Sequence, residues 1–244
     1  VVFLPKHDAI AIAAGNEANP LLNGKIFFFD VDVKGLSLSG LVPTSAVEVG
    51  NRPDSLTLTK DGKYILVANE GELLEDLVDP AGSVSIILVK DGIVASKLKV
   101  ATLGFANLDT ATLKAKGVRI RPGASATNDL EPEYIAVDPN SAYAYVTLQE
   151  NNAVLKINIA NFAKLLNNQA FVFQNEDVFP LGSQDHGTVF LDPSDRDSAV
   201  TFRVAANIFG LRMPDGIVSF EARDGQVYFA TANEGDSRDT DAYS

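Results

Sequence analysis

Acidic and amide side chains recur in this chain at matched places. Arg52-Pro53-Asp54 is answered downstream by Asn69-Glu70-Gly71-Glu72. Glu131-Pro132-Glu133 is answered by Gln149-Glu150-Asn151-Asn152, and Arg212-Met213-Pro214-Asp215 by Asn233-Glu234-Gly235-Asp236. Each pair of strings brackets two apolar runs joined by a turn. In an antiparallel hairpin the start of one strand and the end of the next lie at the same sheet edge. Asp54 is therefore expected beside Asn69, Glu70 and Glu72. Glu131 and Glu133 are expected beside Glu150 and Asn151, and Asp215 beside Asn233, Glu234 and Asp236. If the hairpins are arranged radially, all three clusters face one mouth. Carboxylates and amides, in a chain with no Cys and two His, are hard oxygen donors. They suit Ca²⁺ first and Mg²⁺ second, rather than zinc or copper.

The candidate metal ligands are thus Asp54, Glu70, Glu72, Glu131, Glu133, Glu150, Asp215, Glu234 and Asp236. Arg52, Asn69, Asn151, Arg212, Asn233 and Arg238 are the candidate ligand-binding residues, because an arginine beside a carboxylate–metal cluster can hold a phosphate bidentately. The competing explanation is that Asn and Asp end strands because they make turns, and that Glu is a solvated rim. A turn does not need a Glu beside it each time, and crowded carboxylates repel unless neutralised, so the recurrence speaks for a cation. His186, in Gln184-Asp185-His186-Gly187, is a lone loop imidazole that is either a general acid–base or inert. No Ser-His-Asp arrangement, phosphate-cradling Gly loop or dinucleotide fingerprint is visible.

The elements that must position these residues are short strands. Ser55-Leu56-Thr57-Leu58-Thr59 alternates with period two, turns at Asp61-Gly62, and returns as the apolar run Tyr64 to Ala68. Ser83 to Val89 predicts a third strand and Ala95 to Ala101 a fourth. Four antiparallel strands in about 50 residues are one propeller blade. The unit recurs from Pro132 and again from Pro214, with turns at Asp138-Pro139-Asn140 and Asp224-Gly225. Pro53, Pro132 and Pro214 lie about 80 residues apart, more than one blade of ~40–50 residues, so insertions are expected. The predicted layout is an incomplete first blade over 1–50, a blade over 51–104, an insertion over 105–130, a blade over 131–182, an insertion over 183–212 and the start of a blade over 213–244. The first unit lacks a leading strand unless Val1 to Leu4 supplies it. A short helix is expected within Asn161 to Gln169, capped by Asn158 or Asn161. The fold class is therefore all-β, a propeller of four-stranded antiparallel blades, with roughly three and a half blades here. The chain reads as about half of a longer ring, a fragment; an irregular β-sandwich is the alternative.

Composition narrows the functional classes. With 46% hydrophobic and 21% charged residues the 244-residue chain is a packed domain rather than a disordered tail. A net charge of -12 argues against nucleic acid or an anionic membrane as partner. Absence of Cys removes disulfides, thiolate nucleophiles and Cys-ligated zinc. No run reaches the ~18 apolar residues of a transmembrane segment.

Five strings together resemble a known family: Arg52-Pro53-Asp54, Val67 to Glu72, Asp129-Leu130-Glu131-Pro132-Glu133-Tyr134, Val146 to Asn152, and Ala232 to Asp239. They look like the choice-of-anchor I propeller domain, shared by mesenchyme-specific cell surface glycoprotein-like proteins and by some atypical alkaline phosphatase and phytase-like proteins. The resemblance implies a secreted, periplasmic or cell-surface propeller, seven-bladed when complete. The expected function is a module whose acidic, calcium-binding face engages a small molecule, a phosphoester or an extracellular macromolecule. The alternative is a metal-dependent phosphoester hydrolase, in which the metal activates water and Arg52, Arg212 or Arg238 binds phosphate.

Overall fold

The structure, a computed structural model, describes residues 1–31, 42–74, 78–194 and 196–235. It is all-β, built from antiparallel sheets that follow one another along the chain. The first sheet comprises β1 (Val2–Leu4), β2 (Ala9–Ala14), β3 (Asn23–Asp30) and β4 (Ser45–Asn51), in that order. Val2–Leu4 is thus the leading strand that the sequence left open; Val2 pairs with Ala11 and Leu4 with Ala9. The second sheet comprises β5 (Pro53–Leu58), β6 (Tyr64–Asn69), β7 (Ser83–Leu88) and β8 (Lys99–Gly104). The third comprises β9 (Pro132–Val137), β10 (Tyr143–Leu148), β11 (Ala153–Asn158) and β12 (Val178–Pro180). Two hairpins follow: β13 (Ser183–Asp185) with β14 (Phe209–Leu211), and β15 (Pro214–Glu221) with β16 (Val227–Asn233).

Turn chemistry sets the registers. Gly62 takes φ +70 and donates its amide to Thr59 O, closing the β5–β6 hairpin at Asp-Gly. The Thr59 hydroxyl and the Asp61 carboxylate receive the amides of Tyr64 and Lys63. One strand starts later than its alternation suggests. β8 begins at Lys99 rather than Ala95, because Lys97 N donates to Val94 O and folds that stretch into a turn.

Each middle sheet buries both of its faces. Along β6, Ile65 and Val67 pack toward the first sheet with Leu4, Ile26 and Phe28, while Leu66 and Ala68 pack toward the third with Ile135, Val146 and Leu155. Along β10, Ala144, Val146 and Leu148 face the second sheet, and Tyr145 faces Ile217 of β15. Because successive strand residues point to opposite faces, a strand apolar on both reads as a continuous hydrophobic run. This is why Tyr64 to Ala68 shows no alternation. The leading strands β1, β5, β9 and β15 lie side by side down one edge of the stack, as the inner strands of radially stacked sheets must.

The insertion after β8 folds into the core rather than around it. α1 (Thr110–Lys116) is capped by the Asp109 carboxylate and ends at Gly117, φ 100; it buries Leu113 between the second and third sheets. A short α2 (Ala126–Asp129) then leads into β9. The helix expected near Asn161 is α3 (Ile159–Phe162), with Asn158 as its cap, continued by a 3-10 turn over Ala163–Asn167.

Candidate functional site

The sequence breaks its period-two pattern at the same point in three hairpins. Pro53 pairs with Asn69 and Ser55 with Ala68, leaving Asp54 as an extra residue. Pro132 pairs with Leu148 and Ile135 with Val146, so Glu133 and Tyr134 together oppose Thr147. Pro214 pairs with Asn233 and Ile217 with Thr231, so Asp215 and Gly216 oppose Ala232. Each is a β-bulge, which re-aims a side chain and bends the strand. In all three repeats the acidic residue after the proline occupies it.

The residues before two of these prolines carry backbone strain. Arg52 has φ 44 and Met213 φ 47, left-handed conformations that cost a non-glycine residue about 1–3 kcal/mol. Hydrogen bonds hold them there: Arg52 O accepts from Glu70 N at 2.9 Å, and Met213 O from Glu234 N at 3.2 Å. Asn152, itself at φ 52, accepts the amides of Arg212 and Met213 on Oδ1 at 3.0 and 3.1 Å and donates to Gly182 O at 2.8 Å. It therefore sets the start of β15. Reading the sequence for donors passed over this role; the signal available was an Asn-Asn pair following a strand, where Asn tolerates the left-handed region.

Charge gathers where the bulges point. Burial is the first cause that raises the Glu133 carboxyl far above the carboxylate range, followed by the charge of Glu150, a hydrogen bond with the Glu150 side chain, and the charges of Glu70 and Asp215. Glu150 is thus the nearest charged neighbour that opposes ionisation of Glu133. Burial and the charge of Glu72 push Glu70 up to about 8, against the pull of Arg52, with Asp54 and Glu150 adding to the rise. Asp54 is raised by burial and by Asp215, with Arg52 opposing. Six carboxyl groups from three neighbouring sheets are thus linked electrostatically: Asp54, Glu70, Glu72, Glu133, Glu150 and Asp215.

The other candidates divide. Glu72 lies at the rim in an ion pair with Arg52, whose Nε is also 4.0 Å from Glu70. Both partners of the Arg52–Glu72 pair are about two-fifths exposed, so it contributes under about 1 kcal/mol and serves mainly to hold the guanidinium in place. Glu131 is buried, with Oε1 accepting from Leu73 N at 3.3 Å. Asn69 is fully buried and donates to Ser83 and Ser85. Asn151 is fully buried too; it accepts from Glu131 N and donates to Arg119 O and Asp129 O, which fixes the insertion to the start of β9. Arg212 Nε donates to Leu181 O at 3.1 Å. Asn233 and Glu234 are exposed at the end of β16. Asp236 and Arg238 lie outside the described residues.

Among the described residues no group of three or more His, Asp or Glu side chains is arranged to hold a metal ion. A recess of about 430 Å³ opens beside the carboxyl groups, lined by the β2–β3 loop (Gly15, Asn16, Glu17, Pro20), the start of β5 (Arg52, Pro53, Asp54) and Glu70. Among the described residues no helix is long and apolar enough to cross a membrane.

Several solved structures resemble this one. Hydrazine synthase of Kuenenia stuttgartiensis is 17% identical with a TM-score of 0.48, matching 95% of this chain and 54% of its own. The periplasmic gluconolactonase of Pseudomonas aeruginosa is 15% identical with a TM-score of 0.50, matching 94% and 64%. A 6-phosphogluconolactonase-like protein of Bacteroides fragilis is 14% identical with a TM-score of 0.42, matching 93% and 61%. The chain therefore spans 54% to 64% of the length of these three. At such identities the periplasmic gluconolactonase speaks to the fold alone, which is of the β-propeller kind. No curated protein sequence matches. The choice-of-anchor I domain model matches residues 2–244, and the chain belongs to that family.

Proposed function

We propose that this domain is part of a secreted or periplasmic β-propeller module, seven-bladed when whole, whose acidic mouth binds a hard cation and through it a ligand or partner. The observation that carries the proposal is the repeated bulge at Asp54, Glu133 and Asp215, with Asp54 and Glu133 each within electrostatic reach of Asp215. Oxygen donors alone favour Ca²⁺, with Mg²⁺ second. In the cation-free state burial and mutual repulsion hold the Glu133 and Glu70 carboxyls above the carboxylate range, so both favour their protonated forms. A divalent cation supplies the missing positive charge and competes with those protons. A propeller domain of this family and the periplasmic setting of a structural neighbour support an extracytoplasmic location.

Phosphoester hydrolysis is the second reading, and the arginines weigh against it. Arg52 is engaged by Glu72 and Glu70, and Arg212 by the Leu181 carbonyl. A phosphate would have to displace carboxylates from Arg52 while facing Asp54. Calorimetric titration with CaCl₂ at pH 8 tests the proposal. Binding in the range of extracellular calcium modules, about 10⁻⁴–10⁻³ M, is expected, weakened at least tenfold by Glu133→Gln. Chelator-sensitive turnover of phosphomonoesters or phosphodiesters would make the hydrolase the better account. A folded protein that neither binds Ca²⁺ nor turns over would overturn both.

A further inference from the structure

The recess beside the mouth has a shape and a lining that a bare metal ion does not need. Its volume is about 430 Å³. Specific ligand pockets begin at about 300 Å³. Pro20 and Pro53 give it two apolar ring surfaces, and Gly24 lets the backbone close against the Pro53 ring. Its polar groups are mostly acidic: Glu17 at the outer lip, Asp54 on the bulge and Glu70 at the inner end. Arg52 lines the recess but is already paired with the Glu72 carboxylate, so the wall does not offer an anion site.

We infer that the recess binds an organic cation, a primary ammonium carried on a short apolar stem, with Asp54 and Glu17 as its counter-ions and the proline rings against the stem. This deepens the proposed cation-binding mouth and rests on it, since Asp54 and Glu70 belong to both. A Lys side chain of a partner polypeptide and a free diamine present the same chemistry.

The test is a titration of the calcium-free protein at pH 8 with 1,5-diaminopentane, with a short peptide carrying one central Lys, and with 1,5-pentanediol as the neutral control. The ammonium ligands bind and the diol does not. Glu17→Gln, at an exposed position, weakens ammonium binding about fivefold, the weight of one partly exposed ion pair. Asp54→Asn weakens it further. Glu176→Gln, an equal change of net charge at an exposed site on another loop, leaves it unchanged. Tighter binding of the peptide assigns the recess to a protein partner; tighter binding of the diamine assigns it to a small molecule. Equal losses in Glu17→Gln and Glu176→Gln would reduce the effect to overall charge and overturn the inference. Binding of Ca²⁺ without ammonium binding would overturn the inference and leave the mouth intact; binding of neither would overturn both.

Discussion

Replacing Glu70 by Gln isolates the cost of crowding carboxyl groups at the mouth. Glu70 holds its proton up to about pH 8 in the folded state, against an ordinary value of 4.5. Between those two values the unfolded chain has released the proton and the folded one has not. The stability Glu70 contributes is therefore fully present below about pH 4.5 and is lost as pH climbs toward 8. At about 1.4 kcal/mol per pH unit, the full loss is on the order of 5 kcal/mol. The Gln side chain keeps the buried shape and cannot ionise. Denaturant unfolding of both proteins, without divalent cations, gives the comparison. Near pH 4.5 the two are expected to be of similar stability, and by pH 9 the variant should be the more stable by a few kcal/mol. Calcium should restore the wild type selectively at high pH, because a bound cation stabilises the ionised cluster. Parallel stability curves from pH 4.5 to 9 would show that Glu70 is solvated and uncrowded, and would refute the electrostatic reasoning behind the mouth.

Other substitutions test the scaffold that aims the carboxyl groups. Asn152→Ala removes three hydrogen bonds and forces a Cβ residue to hold φ 52; urea denaturation should show a loss of roughly 2–4 kcal/mol. Asn152→Gly should recover about 1 kcal/mol of this, the left-handed share, without restoring the start of β15. Arg121 bridges Asp79 and the fully buried Asp129, so Arg121→Met removes the counter-charge that both acids share and should cost about 3–5 kcal/mol by thermal or chemical unfolding. Adding Asp129→Asn to that variant should recover part of the loss, because the amide needs no counter-charge.

Much of the sheet plan was legible in the sequence because its signals are local. Asp61-Gly62 and Asp224-Gly225 mark hairpins, and two-faced burial makes Tyr64 to Ala68 and Tyr143 to Val146 continuous apolar runs. The hairpin rule also placed Asp54, Glu70, Glu133, Glu150 and Asp215 at one sheet edge. What stayed hidden depends on where backbone amides point. Asn69 and Asn151 resemble metal or ligand donors, and each also ties strands together, Asn69 through the Ser83 and Ser85 hydroxyls and Asn151 through the Glu131 amide and the Arg119 and Asp129 carbonyls, backbone groups that must find partners when buried. Glu131, one residue before a proline whose neighbour Glu133 turns to the mouth, is drawn aside to the Leu73 amide. The bulges and the left-handed Arg52 and Met213 follow from pairing register and long-range hydrogen bonds, which no local pattern carries.

The most direct test of the mouth takes one carboxyl from each of three sheets. Asp54→Asn, Glu133→Gln and Asp215→Asn would each be titrated with Ca²⁺ by calorimetry at pH 8, after circular dichroism confirms the fold. A cation shared across the sheets predicts that every one of the three weakens binding, by about tenfold or more. Binding that survives all three changes, or that depends on only one sheet, would contradict the joint site.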